Sequence, residues 1–403
     1  MASAGTRGDK IHLVVWDISN GEQLHNWSWD RGRDPHSAVD DIRFWGDQIA
    51  VEVFRQYAAY VWDMKTGKQL TSVRHEEVFG LSLNEGKLVT AGWDMRIREW
   101  DSTTGKELRS LKVGSFGPDG VLRGPDDKRI YKVGVSPDRS LVATTDMLNS
   151  IRLYDRDWNE VMMIPNAGSS QQAFALSRNL LWVSYADSQL NVYDVATGDA
   201  IFQEASHRKG IDRIEFGPRD RTILTGGDDG ICNLWELPAP RSAGDDDRLY
   251  ENLVGKNGKL AFAAFQQLDA DPDRAVKLLQ DRLEPFAATD VDKAEVRKQI
   301  VALGSGQEAR VEKAKLTLFE LGPGVVPILR AELSTESVSK DKKSTLVKLA
   351  FDIHRRYRRA SMLLAQSESA DAGAVVKQLK DAGASKSVST FFNEAARYHE
   401  SLK

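Results

Sequence analysis

IDRIEFGPRDRTILTGGDDGICNLWE, residues 211–236, divides into three short runs that alternate apolar and polar residues: DRIEF (212–216), TILTGG (222–227) and ICNLW (231–235). Pro218 and the GGDDG turn separate them. Period-two alternation places successive side chains on opposite faces of an extended chain, so each run reads as a half-buried strand.

The end of this stretch recurs upstream. VVWD, YVWD, REWD, RLYD, NVYD and NLWE place aromatic residues at Trp16, Trp62, Trp100, Tyr154, Tyr193 and Trp235, with spacings of 46, 38, 54, 39 and 42. After four of the six, a glycine follows five residues beyond the aromatic, in Asn20-Gly21, Thr66-Gly67, Thr104-Gly105 and Thr197-Gly198. Glycine tolerates the positive φ of tight hairpins, so each site reads as strand, turn and returning strand. Four short antiparallel strands per repeat of about 40 residues make one propeller blade.

These motifs resemble the WD-repeat (WD40) family over roughly residues 1–240. Two repeats carry the fuller pattern: His75, Thr90, Asp94 and Trp100 in one, His207, Thr225, Asp229 and Trp235 in the other. The resemblance implies a structural hydrogen-bonded network at these eight positions. A His beside an Asp is also the orienting half of a hydrolase triad, but buried polar groups that satisfy one another are the expectation here. In the family the turn residue before the network Asp often lies on the binding face, which picks out Trp93 and Asp228 as candidate partner-binding residues. The other repeats depart from the pattern: Gln56 and Leu148 stand at the turn-Asp positions of the second and fourth, and the fifth keeps Asp187 but has Val183 in place of Thr. Those blades are expected to lack the full network and to rely on apolar packing.

A glycine-rich insertion, VGSFGPDGVLRGPDDK (113–128), precedes Ile130 without the GxxxxGK[ST] of a phosphate loop, and reads as a surface loop. Counting strands by alternation gives the first repeat three, lacking its inner strand, and the sixth three, lacking its outer strand. The expectation is twenty-two strands in about six blades, an incomplete and open propeller whose cause is a late start or a shortened array.

After Glu236 the texture changes. LPAPRSAGDDD supplies two prolines and then helix-start chemistry at Ser242 or Asp245. Beyond it the apolar spacing is three and four, as in RAVKLLQDRL and LVKLAFDIHRRY, which predicts amphipathic helices. LFELGPGVVPILRAEL resembles a HEAT-type pair with its corner at Gly322 and Pro323, and aligns with RAVKLLQDRL so that Leu279 meets Leu329. The expected fold is therefore multidomain: a WD40-type propeller over 1–238, a linker over 239–246 and an all-α HEAT-like domain over 247–403. The combination, with its LYENLVG start, also resembles bacterial WD-repeat proteins of unassigned function. The run IHRRYRRA (353–360) groups Arg355, Arg356, Arg358 and Arg359, and is expected to form a solvated helix face rather than a phosphate grip. Phe391 and Phe392 are expected to dock the final helix.

The 403 residues are 41% hydrophobic and 28% charged, with a mean hydropathy of −0.43. Residues 1–240 balance at −7 and the rest at +3, so neither part has the basic excess of a general nucleic-acid binder. No apolar run is long enough to span a bilayer. The single cysteine, Cys232, forms no intrachain disulfide or thiolate cluster and suits a reducing cytoplasm. No HExxH, CxxC, GxSxG or Walker loop occurs, and the SVSK string at 337–340 lacks its companion motifs. The sequence therefore predicts a cytoplasmic, non-catalytic protein-interaction scaffold with no metal, cofactor or catalytic residues, and proteins as partners. The alternative is the C-terminal part of a longer WD40 protein whose catalytic or regulatory part lies upstream.

Overall fold

The computed structural model describes the chain except residues 33, 35, 114–128, 137, 149, 166–172, 178, 180–181, 187–188, 206, 209, 218–219, 238–244, 334–338 and 403. Most of the insertion, the linker up to residue 244, Asp187, the side chain of Val183, and Ser337 with Val338 therefore lie outside the described residues. Two compact units are present, Met1–Phe174 and Ala175–Lys403.

The strands form six antiparallel sheets of blade type. The first holds β1 (Ala2–Arg7), β2 (Lys10–Trp16) and β3 (Gln23–Asp30). Four-stranded sheets follow. The second blade is β4 (Ala38–Trp45), β5 (Gln48–Phe54), β6 (Ala58–Asp63) and β7 (Gln69–Arg74); the third is β8 (Val78–Asn84), β9 (Lys87–Gly92), β10 (Arg96–Asp101) and β11 (Glu107–Lys112). The fourth is β12 (Ile130–Val135), β13 (Leu141–Asp146), β14 (Ile151–Asp155) and β15 (Glu160–Ile164); the fifth is β16 (Phe174–Leu176), β17 (Trp182–Ala186), β18 (Gln189–Asp194) and β19 (Ala200–Ala205). The sixth has three strands, β20 (Ile211–Phe216), β21 (Thr222–Gly227) and β22 (Cys232–Glu236). Among the described residues the strands number twenty-two, with the short sheets first and last, as the alternation predicts.

Each repeated aromatic sits at one mechanical feature. The pairing of the last two strands of the blade slips by a residue at Val15/Trp16, Val61/Trp62, Glu99/Trp100, Leu153/Tyr154 and Val192/Tyr193. Such a bulge bends the strand into the turn. The Asp that follows then caps the turn: Asp63 Oδ1 accepts from Thr66 N at 2.7 Å, Asp101 Oδ1 from Thr104 N at 2.8 Å and Asp194 Oδ2 from Thr197 N at 3.1 Å. Gly67, Gly105 and Gly198 complete it at φ of 69°, 72° and 77°.

Blades in the first unit pack face to face by a fixed rule. Ile11, Leu13 and Val15 of the first blade lie against Ile49, Val51, Val53 and Trp62 of the second. Ala50, Ala59 and Val61 of the second cover Leu81, Leu83 and Trp100 of the third, and Val89, Ala91 and Ile97 of the third cover Val133, Val142 and Tyr154 of the fourth. In each of these three contacts one blade offers the face carrying the residue before its aromatic, and the next receives on the face carrying the aromatic itself. Burial of these aliphatics supplies the main driving force, at roughly 25 cal/mol per Å².

In the second unit, helices follow the strands. They are α1 (Asp246–Leu253), α2 (Gly258–Asp269), α3 (Pro272–Ala288), α4 (Lys293–Leu303), α5 (Glu308–Glu320), α6 (Val326–Leu333), α7 (Lys340–Gln366), α8 (Ala372–Gly383) and α9 (Ser389–Ser401). Their starts are sequence-encoded: Asp245, Asn257, Asp271 and Asp292 each accept from a first-turn backbone N–H, and Pro272 opens α3. Gly322, at φ 83°, and Pro323 turn the chain from α5 to α6. The 27-residue α7 packs against α1, α2, α3, α6, α8 and α9. Phe391 and Phe392 of α9 are buried, at 3% and 2% exposure. Among the described residues, no helix is long and apolar enough to cross a membrane.

Candidate functional site

The third blade brings four separated residues together. His75 Nδ1 lies 2.7 Å from Thr90 Oγ1, His75 Nε2 lies 2.9 Å from Asp94 Oδ1, and Trp100 Nε1 donates to Thr90 Oγ1 at 2.9 Å. The protons can be assigned along this chain. Indole N–H donates to the Thr oxygen, the hydroxyl donates to the imine nitrogen of His75, and the remaining ring N–H donates to Asp94. His75 is therefore neutral: burial pulls its pKa below the ordinary imidazole value, against the opposing pull of Asp94. For Asp94, burial pushes upward, but His75 and Arg98 hold the carboxyl below its ordinary value. In the sixth blade His207 lies 2.9 Å from both Asp229 Oδ1 and Thr225 Oγ1, and Trp235 Nε1 donates to Thr225 at 3.0 Å. There the ring is turned over, with Nδ1 on Asp229. The hydrogen bond from His207 is the chief cause that holds Asp229 low. In both networks the hydroxyl is already engaged by an indole and an imidazole, which occupies the oxygen a nucleophile would need.

Departures elsewhere take forms the sequence did not disclose. In the second blade Gln56 Oε1 accepts from Tyr60 Oη at 3.0 Å, while its Nε2 donates to Asp30 O at 2.8 Å. The fourth blade, with Leu148 half-buried in the turn, carries an ionic chain rather than apolar packing alone. Arg152 Nε donates to the buried Asp146 at 2.7 Å, and Arg152 Nη1 reaches Glu160 at 3.1 Å. Glu52 is another feature missed: it is 0% exposed, with the Asp40 carboxyl as its neighbour. Burial, and then the charge of Asp40, raises its pKa well above the ordinary value. A lone Glu in an alternating strand gives no signal of this.

Trp93 occupies the β9–β10 turn, half-buried rather than free in solvent. Its ring stacks on Phe79 at 4.4 Å between centroids, meets Tyr131 of the fourth blade edge-on at 5.7 Å, and lies under the Arg129 guanidinium at 5.0 Å. Phe54 joins Phe79 at 5.4 Å, with Arg55 over its own ring. The outcome is an aromatic patch drawn from three consecutive blades and bordered by two arginines. The indole Nε1 of Trp93 is buried and has no hydrogen-bond partner among the described residues. Asp228 is exposed in the β21–β22 turn, where its N–H donates to Gly210 O at 3.0 Å.

The arginines of 353–360 do not form a solvated face, and this corrects the sequence expectation. Arg355, Arg356, Arg358 and Arg359 are all buried, with Arg359 at 0% exposure. Arg359 forms an ion pair with the buried Asp194 of the fifth blade and donates to the carbonyls of Leu253 at 3.0 Å and Gly255 at 2.8 Å. Arg356 donates to Val254 O at 2.8 Å and lies 3.7 Å over Phe319. The carbonyls left unpaired at the end of α1 are thus met by cations from α7. Arg358 donates to Asn179 O at 3.2 Å and pairs with Glu394, which also meets His354 at 3.1 Å. Spacing along one helix cannot reveal carbonyls and carboxylates that arrive from other elements.

Comparison with known proteins agrees with this architecture. Residues 200–236 match the family model "WD domain, G-beta repeat". The chain is 22% identical over 242 residues to Protein tipD of Dictyostelium discoideum, covering 57% of this chain and 37% of that protein. It is 24% identical over 191 residues to Autophagy-related protein 16 of Arabidopsis thaliana, covering 38% and 36%. A solved structure entitled "Crystal Structure of Mitotic Checkpoint Complex" superposes with a TM-score of 0.46 at 13% identity, over 57% of this chain and 71% of that one. The matches to tipD and the plant protein thus span under two fifths of those relatives' lengths. Residues 200–236 thus carry a WD-domain repeat, the described strands up to residue 236 form six blade-type sheets, and a helical region follows them.

Proposed function

We propose that the chain is a non-catalytic protein-interaction scaffold that binds a protein partner through the Trp93 patch, with the helical region as a second surface built from HEAT-like pairs such as α5–α6. WD40 propellers generally act as protein-interaction scaffolds. The observation that carries the reading here is the half-buried Trp93, stacked and held by Phe79, Tyr131 and Arg129. A rigid aromatic with a polar tip loses little entropy on binding and suits an interface anchor. Relatives whose names point to different processes, including an F-box/WD repeat-containing protein from Caenorhabditis elegans and a cilia- and flagella-associated protein from mouse, match this chain at 27% and 22% identity. That diversity supports a binding platform more than one chemistry. A cytoplasmic setting fits the single exposed thiol of Cys232.

Affinity capture from the host with wild type and Trp93→Ala tests the reading. Trp93→Ala should fold with near wild-type secondary structure and lose one or more specific partners. Identical partner sets from the two proteins would remove Trp93 as an anchor. An Asp228→Ala bait tests the sixth-blade turn in the same way.

A further inference from the structure

Asn20 fills a position that three other blades give to threonine. In the turns after the repeated aromatic, the Oγ1 of Thr66, Thr104 and Thr197 accepts from the backbone N–H two residues on, at 3.4, 3.4 and 3.2 Å. In the β2–β3 turn Asn20 Oδ1 accepts the same bond from Glu22 N, at 2.8 Å. The geometry repeats but the group does not: a carboxamide carbon stands where the others have a hydroxyl. Glycine follows in every case, and Gly21 sits at φ 75°.

That exchange adds a reaction. An Asn side chain closed onto the N–H two residues on is wrapped around the intervening peptide nitrogen, which here belongs to Gly21. A backbone nitrogen can attack a carboxamide carbon to close a five-membered imide, and glycine, with no β-carbon, hinders the attack least. Nothing lies within 4 Å of where a β-carbon on Gly21 would stand, and residues 18–24 are exposed throughout. The bond that opposes the attack runs from Gly21 N–H to Asp17 O at 2.9 Å, at a hairpin tip, where local opening is least costly.

The chain contains its own contrast. Asn257-Gly258 is the other Asn-Gly pair in the sequence, and it is locked into the start of α2. Asn257 Oδ1 accepts from Leu260 N at 3.0 Å, and Gly258 N–H donates to Asp199 Oδ2 at 2.7 Å. Gly258 is buried, and Thr197 Oγ1, Asp199 Cβ and Asp194 Cβ crowd its β position at 2.6, 2.8 and 3.1 Å. Its nitrogen is held by a carboxylate and has no room to turn toward Asn257 Cγ.

We propose that Asn20 is a self-modifying site, at which the Gly21 nitrogen attacks Asn20 Cγ and water completes the conversion to an acid. The Cγ–N bond of the carboxamide breaks, ammonia leaves with the proton of the Gly21 N–H, and water opens the imide at either carbonyl. One water enters and one ammonia leaves, giving an aspartyl or an isoaspartyl residue at position 20. The isoaspartyl form inserts a methylene into the backbone of the turn, and both forms add a carboxylate to the turn that already holds Asp17. The first-blade hairpin therefore changes with the age of the molecule.

Peptide mapping by mass spectrometry on the full, folded chain tests this. Incubated at mildly alkaline pH, wild type should show the amide-to-acid mass gain in the peptide that carries Asn20, as two chromatographically distinct products, while the Asn257 peptide stays unchanged. The rate should rise with pH, because the attacking nitrogen must lose its proton. In concentrated urea both peptides should convert, since the protection of Asn257 comes from the fold. Asn20→Thr, which restores the residue of the other turns, should keep the circular dichroism of wild type and show no conversion at position 20. A folded wild type whose Asn20 stays intact over the time that converts it in urea overturns the proposal. So does conversion of Asn257 in the folded chain as fast as that of Asn20.

Discussion

Thr90 joins an indole donor to an imidazole acceptor, and the His75 network depends on its single hydroxyl. Thr90→Val keeps the shape and leaves two buried partners unsatisfied, so it should cost about 1–3 kcal/mol in urea unfolding, with Thr90→Ser retaining most of the stability. Two groups near this level respond to pH with opposite sign. His75 has its pKa lowered on folding, so only the unfolded chain takes up a proton near the ordinary value, and its contribution to stability falls as pH drops below about 6.5. Glu52 has its pKa raised, so the folded state holds the proton and stability falls as pH rises above about 4.5. Glu52→Gln should therefore raise the urea midpoint at neutral pH relative to wild type and leave it nearly unchanged at acid pH. An equal effect at both pH values would contradict the assignment. At this scale the sequence spoke clearly for the networks, because Thr, Asp and Trp keep fixed intervals within one hairpin. It was silent on Glu52, whose surroundings include Lys132 from two blades on, and on the Arg152 chain, which is local but follows no repeated interval.

Among the elements, α7 carries the largest difference between reading and structure. Its apolar stripe was legible at helical spacing, yet its arginines read as solvent-facing because a charge pattern alone cannot show which groups arrive opposite. Asp194 is one of the turn-capping residues after a repeated aromatic, and in the fifth blade that same carboxylate holds Arg359. Removing one partner of a fully buried pair leaves a charge without compensation, so Arg359→Met should destabilise by about 3–5 kcal/mol. Adding Asp194→Leu should recover part of that loss, which a double-mutant cycle in urea would measure. The start of α2 is equally tight. Gly258 N–H donates to Asp199 Oδ2 at 2.7 Å, and a β-carbon there would stand 2.6 Å from Thr197 Oγ1. Gly258→Ala should lower the melting temperature, although alanine is the better helix former.

For the molecule as a whole, the strand count was legible because turn glycines, alternation and aromatics agree at every repeat. The grouping of elements was not, since the change from period two to period 3.6 marks secondary structure and not compactness. The fifth-blade strands β17–β19, the sixth blade and all nine described helices fall in one compact unit, Ala175–Lys403. Arg359 with Asp194, Gly258 with Asp199, and Arg221 with Asp269 at 2.8 Å join strands to helices within it. The cationic segment of α7 is therefore spent internally. Native-state hydrogen exchange at increasing denaturant tests this most directly, by comparing amides of β18 and β19 with those of α7. The account predicts that they merge into one opening event in wild type and separate in Arg359→Met. Independent openings of β18–β19 and α7 in the wild type would contradict it.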